Sequence, residues 1–124
     1  VKHLCEAHNI ELNQIAYMFD DVLDLSLAEV CGLRIFIPRK ANPLFNEFVL
    51  KHHLADYTTG CTSGQGSVRE ACELMIGLNG NYDLVISERA NFSSAYKSYL
   101  ELRKATTPIY YTNQDGVVTE VKNS

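Results

Sequence analysis

No apolar run in this chain reaches the ~18 residues that a membrane span requires, and no signal-peptide pattern marks its start. A cytoplasmic protein without a membrane partner is therefore expected. Tryptophan is absent and tyrosine occurs seven times, in an otherwise ordinary globular composition. Basic residues are not in excess. A net charge of −4 counts against a nucleic-acid binder while leaving room for a small anionic substrate at a local site. No CxxC pair occurs among Cys5, Cys31, Cys61 and Cys72. Cys5-x-x-His8 has metal-like spacing but no matching second half, so small buried thiols in a reducing cytosol are favoured over a zinc site. His52 and His53 are adjacent, point to different sides of a helix and are poorly placed to share a metal.

What is present is a regular alternation. Leu4, Ala7, Ile10 and Leu12 suggest the end of an amphipathic helix, so the chain starts as though cut through an element. Apolar residues 15–19 predict a buried strand, and Leu23, Leu27 and Val30 predict the inner face of a helix over 22–30. Residues 33–37 predict a second strand, ended by Pro38. Pro43 opens a short helix to Leu50 with Leu44, Phe48 and Phe45 as candidates for the core. A short strand over 56–58, a polar glycine-bearing loop over 59–67 and a helix over 68–78 complete the pattern. Strands and helices alternating in units of this length predict an α/β fold, a doubly wound parallel sheet. Beyond residue 81 the pattern changes. A helical stripe of Phe92, Tyr96, Tyr99 and Leu100 runs to about Lys104, and residues 109–112 and 117–121 flank a hairpin loop at Asn113-Gln114-Asp115-Gly116. The expected division is residues 1–80 and a helical and hairpin tail over 81–124. That tail either covers the core or forms an oligomer contact or lid.

Two segments carry chemistry, both at the carboxyl edge of the expected sheet, where open α/β sheets bind ligands. Asp20, Asp21 and Asp24 follow the first strand directly. Three carboxylates so close repel one another unless a cation or solvent intervenes. Asp20 or Asp21 as a helix N-cap accounts for one of them, not for three. The second segment is Thr59-Gly60-Cys61-Thr62-Ser63-Gly64-Gln65-Gly66-Ser67, followed by Val68-Arg69-Glu70. Glycines and hydroxyls before a helix start can offer N–H groups to an anion, with Arg69 as a planar charged fork. Without the acidic segment, the glycine loop is a weak signal and the Arg69-Glu70 pair reads better as a solvated helix pair.

Ile15-Ala16-Tyr17-Met18-Phe19-Asp20-Asp21-Val22-Leu23-Asp24-Leu25 looks like a strand followed by Gly-Asp-Asp-x-x-Asp. Cys31-Gly32-Leu33 looks like Val-Gly-Leu, Ala41-Asn42-Pro43 like Ala-His-Pro and Ala55-Asp56-Tyr57 like Ala-Asp-Tyr. Gly64-Gln65-Gly66-Ser67-Val68-Arg69-Glu70 looks like Gly-Arg-Gly-Ala-Val-Arg-Glu. Together, residues 15–78 resemble the C-terminal half of the cap-less haloacid dehalogenase-like (HAD) phosphatases of 3-deoxy-ulosonate metabolism. The 3-deoxy-D-manno-octulosonate 8-phosphate phosphatases typify that family. The resemblance implies a Rossmann-like HAD fold, present in part, and a Mg²⁺-dependent phosphatase acting on a phosphorylated sugar acid. It implies Asp20 as the Mg²⁺ ligand, Asp24 supporting it directly or through water, and Asp21 behind them. Gly64, Gln65, Gly66, Ser67 and Arg69 would meet the substrate or a neighbouring subunit, in a homo-oligomer that the resemblance makes a tetramer. The family reaction is in-line attack by an aspartate on a phosphate ester, then hydrolysis of the aspartyl phosphate, with Mg²⁺ and a lysine neutralising charge.

The departures are specific. The nucleophilic Asp-x-Asp and the Ser/Thr motif are absent from the sequence, so this chain holds no catalytic nucleophile, and one is expected upstream of Val1. Lys2 is a poor substitute for the family lysine. Phe19 stands for a glycine and Gln65 for an arginine. The alternative expectation is therefore a non-catalytic HAD-like oligomerisation module, of the kind appended to animal CMP-sialic acid synthetases (acylneuraminate cytidylyltransferases). A phosphoacceptor receiver domain is disfavoured, because the second strand ends in Pro38-Arg39-Lys40 rather than in an acceptor aspartate.

Overall fold

A computed structural model of the chain describes residues 1–121, which belong to two compact units, Val1–Gly80 and Asn81–Ser124. The first opens with α1 (Lys2–His8), closed by Asn9 in the left-handed region at φ 51°. A 3₁₀ turn over Leu12–Gln14 follows, its ends tied by reciprocal bonds of the Glu11 and Gln14 side chains. The chain then alternates through β1 (Ala16–Phe19), α2 (Leu25–Ala28), β2 (Leu33–Phe36), α3 (Pro43–Lys51), β3 (Tyr57–Thr58) and α4 (Ser67–Leu78). The three strands form one parallel sheet in the order β1-β2-β3. This is an α/β unit.

Parallel pairing sets the strand ends level. Phe19 lies opposite Phe36, and Phe36 opposite Thr58. The ladder continues one step further, with Ile37 N–H donating to Phe19 O and Thr59 N–H to Phe36 O, both at 2.9 Å. The segments starting at Asp20, Pro38 and Gly60 consequently leave the sheet along one edge. At the opposite end, the Arg34 guanidinium grips Asp56 through Nη2–Oδ1 at 2.7 Å and Nε–Oδ2 at 3.1 Å, with Arg34 N–H adding a third bond at 2.8 Å. That fork holds the carboxyl of Asp56 below its usual range and fastens β3 to β2.

The core is small and aromatic. Phe19, Ala28, Phe36, Phe45 and Val49 pack together, with Tyr17, Leu25, Leu54 and Ala55 around them. The ring of Phe36 sits 5.2 Å from that of Phe19 and 5.8 Å, edge to face, from that of Phe45. Gly32 makes the turn into β2 pass against the preceding loop. Its N–H bonds Ile15 O at 3.0 Å, and a methyl group on Gly32 would run into the carbonyl of Asn13.

Four features differ from the sequence expectations. The helix over 22–30 is only a 3₁₀ turn (Val22–Asp24) running into the short α2, which leaves Leu23 86% exposed and Val30 exposed. A 3₁₀ turn advances three residues per turn rather than 3.6, and so breaks the α-helical stripe. In α3 the buried pair is Phe45 and Val49, while Leu44 is 78% exposed and Phe48 also faces outward. The tail holds an unexpected helix, α5 (Tyr82–Ala90), ahead of α6 (Ser94–Ala105). The hairpin of β4 (Tyr110–Gln114) and β5 (Val117–Val121) turns on two residues, Asp115 and Gly116, both at positive φ, rather than on four.

In this second unit, Ser93 caps α6 by accepting from Tyr96 N–H at 3.1 Å and also bonds Glu88 of α5. Phe92, Tyr96 and Tyr99 form a run of ring contacts along α6. No residue of 81–121 is buried. Among the described residues, no helix is long and apolar enough to cross a membrane.

Candidate functional site

The sheet delivers the acidic segment and the glycine-bearing segment to one edge, and their side chains divide into separate tasks. Asp21 is the N-cap of the 3₁₀ turn, its Oδ1 accepting from Leu23 N–H at 3.2 Å. Its other oxygen lies 3.5 Å from Arg39 Nη1, and Asp20 Oδ2 lies 2.8 Å from Arg39 Nε. Two carboxylates thus converge on one cation position, which the guanidinium fills. Asp24 turns elsewhere and accepts from the Tyr17 hydroxyl at 3.0 Å. Burial, and then that bond, push the Tyr17 hydroxyl above its ordinary pKa.

The position of Arg39 is itself held. Its N–H donates to Asn46 Oδ1 at 3.3 Å, and its carbonyl accepts from Asn46 Nδ2 at 2.9 Å. Arg39 was not among the residues singled out from the sequence. The available signal was its place immediately after a parallel strand, at the edge already occupied by the aspartates.

Convergence of Asp20 and Asp21 on a cation fits a hard divalent ion held by one or two carboxylates and water, the usual mode for Mg²⁺. Among the described residues, no three His, Cys, Asp or Glu side chains gather closely enough to form a metal cage. Asp20 and Asp21 share the position that Arg39 fills, whereas Asp24 is bonded to Tyr17 instead of joining them. Phe19, which occupies the position next to Asp20, keeps its ring in the core at 2% exposure.

The glycine-bearing segment is occupied by the chain's own carboxylate. Glu70 Oε1 accepts from Gly60 N–H and from the Tyr57 hydroxyl, each at 2.8 Å, and Oε2 accepts from Cys61 N–H at 2.9 Å. The Cys61 and Gly60 amides, followed by the Tyr57 hydroxyl, lower the Glu70 pKa to about 2. The same carboxylate, through a hydrogen bond, raises the Cys61 thiol above its ordinary pKa, unlike a nucleophilic thiolate. Arg69 is 77% exposed at its side chain and pairs with Glu73 one turn along α4 at 3.0 Å. Gly64 and Gly66 take positive φ of 81° and 89°, Gly66 as the N-cap of α4, with Ser67 buried as its first residue. Thr62 Oγ1 donates to Gln65 Oε1 at 2.8 Å. Gln65 is thus bonded within its own loop and Arg69 within its own helix. Glu70, read from the sequence as a surface partner, is what shapes the loop.

The chain is similar to 3-deoxy-D-manno-octulosonate 8-phosphate phosphatases. It is 34% identical over 80 residues to the proteins of that name from Escherichia coli K12, Shigella flexneri and Salmonella typhi. The match spans 64% of this chain and 39% of the length of each phosphatase. This is distant similarity to HAD-type phosphatases over less than half of their length. No protein-family model matches the chain, and no solved structure matches it.

Proposed function

We propose that the protein to which this chain belongs is a cytoplasmic, Mg²⁺-dependent HAD phosphatase with a doubly wound sheet, acting on an ulosonate-type sugar-acid phosphate. This chain is its C-terminal part, and the nucleophilic aspartate lies upstream of Val1. The observation that carries this reading is the convergence of the Asp20 and Asp21 carboxylates on one cation position at the carboxyl edge of a parallel sheet. Similarity to sugar-acid phosphatases supports it. When bound there, Mg²⁺ supplies neutralisation of the charge on a transferring phosphoryl group. Asp20 holds the ion, Asp21 does so while capping its own turn, and Asp24 orients Tyr17. Exposed apolar side chains of the second unit, among them Ile109, Tyr110 and Leu102, support a homo-oligomer built through residues 81–121.

A second reading has its own support. Arg39 already neutralises the acidic pair and Asp24 is spent on Tyr17, as suits a non-catalytic oligomerisation module. Phosphate release separates the two. The full-length protein, incubated with a phosphorylated 3-deoxy sugar acid, is expected to turn over with Mg²⁺ and to stop with a chelator, while the 124-residue chain alone releases nothing. Absence of turnover by the full-length protein across such substrates favours the module.

A further inference from the structure

Between the segment leaving β2 and the segment leaving β3 lies a cleft of about 320 Å³, lined by Arg39, Lys40, Ala41, Thr62, Ser63 and Gln65. Its lining carries two cations and no carboxylate, in a chain of net charge −4. A cleft of about 360 Å³ along α1 shows no such imbalance, since it sets Glu6 and Glu11 against Lys2.

The walls of the first cleft are tied together and held from behind. Ser63 N–H donates to Pro38 O at 3.1 Å, joining one wall to the other. Asn46 clamps the Arg39 backbone, and Glu70 clamps the start of the opposite segment. Such support gives a binding site its geometry before a ligand arrives.

The donors are available. Among the described residues Lys40 forms no ion pair. Arg39 commits Nε to Asp20 and Nη1 to Asp21, which leaves Nη2. Gln65 uses its amide oxygen on Thr62, so its amide nitrogen keeps two protons to give. By contrast, Glu70 fills the amides of Gly60 and Cys61, and Arg69 is paired along its own helix.

We propose that this cleft binds the phosphate group of a small phosphorylated molecule. Lys40 meets its charge, and the free edge of Arg39, the Gln65 amide and the Ser63 hydroxyl donate to its oxygens. One uncommitted cation beside several N–H and O–H donors suits the oxygens of a phosphate better than a planar carboxylate, and the volume admits the phosphate with part of the group it esterifies. Anion recognition thereby moves from Arg69 to the segment after β2.

The test is a titration of the intact 124-residue chain with inorganic phosphate, followed by amide NMR shifts, with acetate and chloride at matched ionic strength. The expected shifts saturate and centre on residues 39–41 and 62–65. Lys40→Gln weakens binding about tenfold, while Lys51→Gln on α3 leaves it unchanged. Shifts centred on residues 66–69, equal binding by Lys40→Gln, or acetate matching phosphate would each overturn the proposal. Binding here requires no turnover and no metal. Failure of the cleft therefore leaves the phosphatase reading standing, and failure of that reading leaves the cleft.

Discussion

Arg39 decides how the acidic cluster behaves. Its guanidinium sits 2.8 Å from Asp20 and 3.5 Å from Asp21, so a divalent cation entering there must displace it or tolerate it. A unit charge ~4 Å away is worth on the order of 1–4 kcal/mol near a protein surface. Arg39→Gln is accordingly expected to raise Mg²⁺ affinity by about tenfold or more, read by calorimetry against wild type. Unchanged affinity would show that the guanidinium does not compete.

Glu70 gives a pH signature. Its folded pKa of about 2 lies below the ordinary 4.5, so its stabilising effect is fully present above about pH 4.5 and is lost as pH falls towards 2. Asp56, also depressed, contributes on the same acid limb. Urea midpoints measured from pH 5 to 2 should fall in wild type and fall less steeply in Glu70→Gln, whose midpoint is already lower at pH 5. Parallel curves would remove Glu70 from the account.

At the scale of elements, legibility followed the strength of the local signal. β1 and β2 were readable because both are near-continuous apolar runs, and the edge they share followed from parallel pairing. The rotation of α3 was less accessible, since Leu44/Phe48 and Phe45/Val49 form adjacent stripes of similar character and only tertiary packing chooses between them. In α5, Leu84, Val85 and Ile86 run consecutively around the helix and form no stripe at all, so periodicity had nothing to detect. The hold of Glu70 on Gly60 and Cys61 spans about ten residues and a sheet edge, and no local pattern announces it. Gly32 is where an element-scale prediction is sharpest. Because a methyl there meets backbone rather than a movable side chain, Gly32→Ala should cost about 1–3 kcal/mol in chemical denaturation, the usual cost of overpacking. A variant as stable as wild type would mean that the loop bearing Asn13 yields freely.

For the whole molecule, what could be read early was the shared edge with its acidic loop, and what needed the structure was the division of labour along it. Asp20 and Asp21 face a cation, Asp24 supports Tyr17, and Glu70 closes the loop that looked open to an anion. The phosphoryl chemistry proposed for the protein rests on Asp20 more than on any other residue of this chain. The most direct measurement is Mg²⁺-dependent phosphate release by the full-length protein and by its Asp20→Asn variant, with circular dichroism confirming that the variant is folded. Turnover in wild type and its loss in the folded variant is the expected result. Equal turnover in both would contradict the assignment of Asp20.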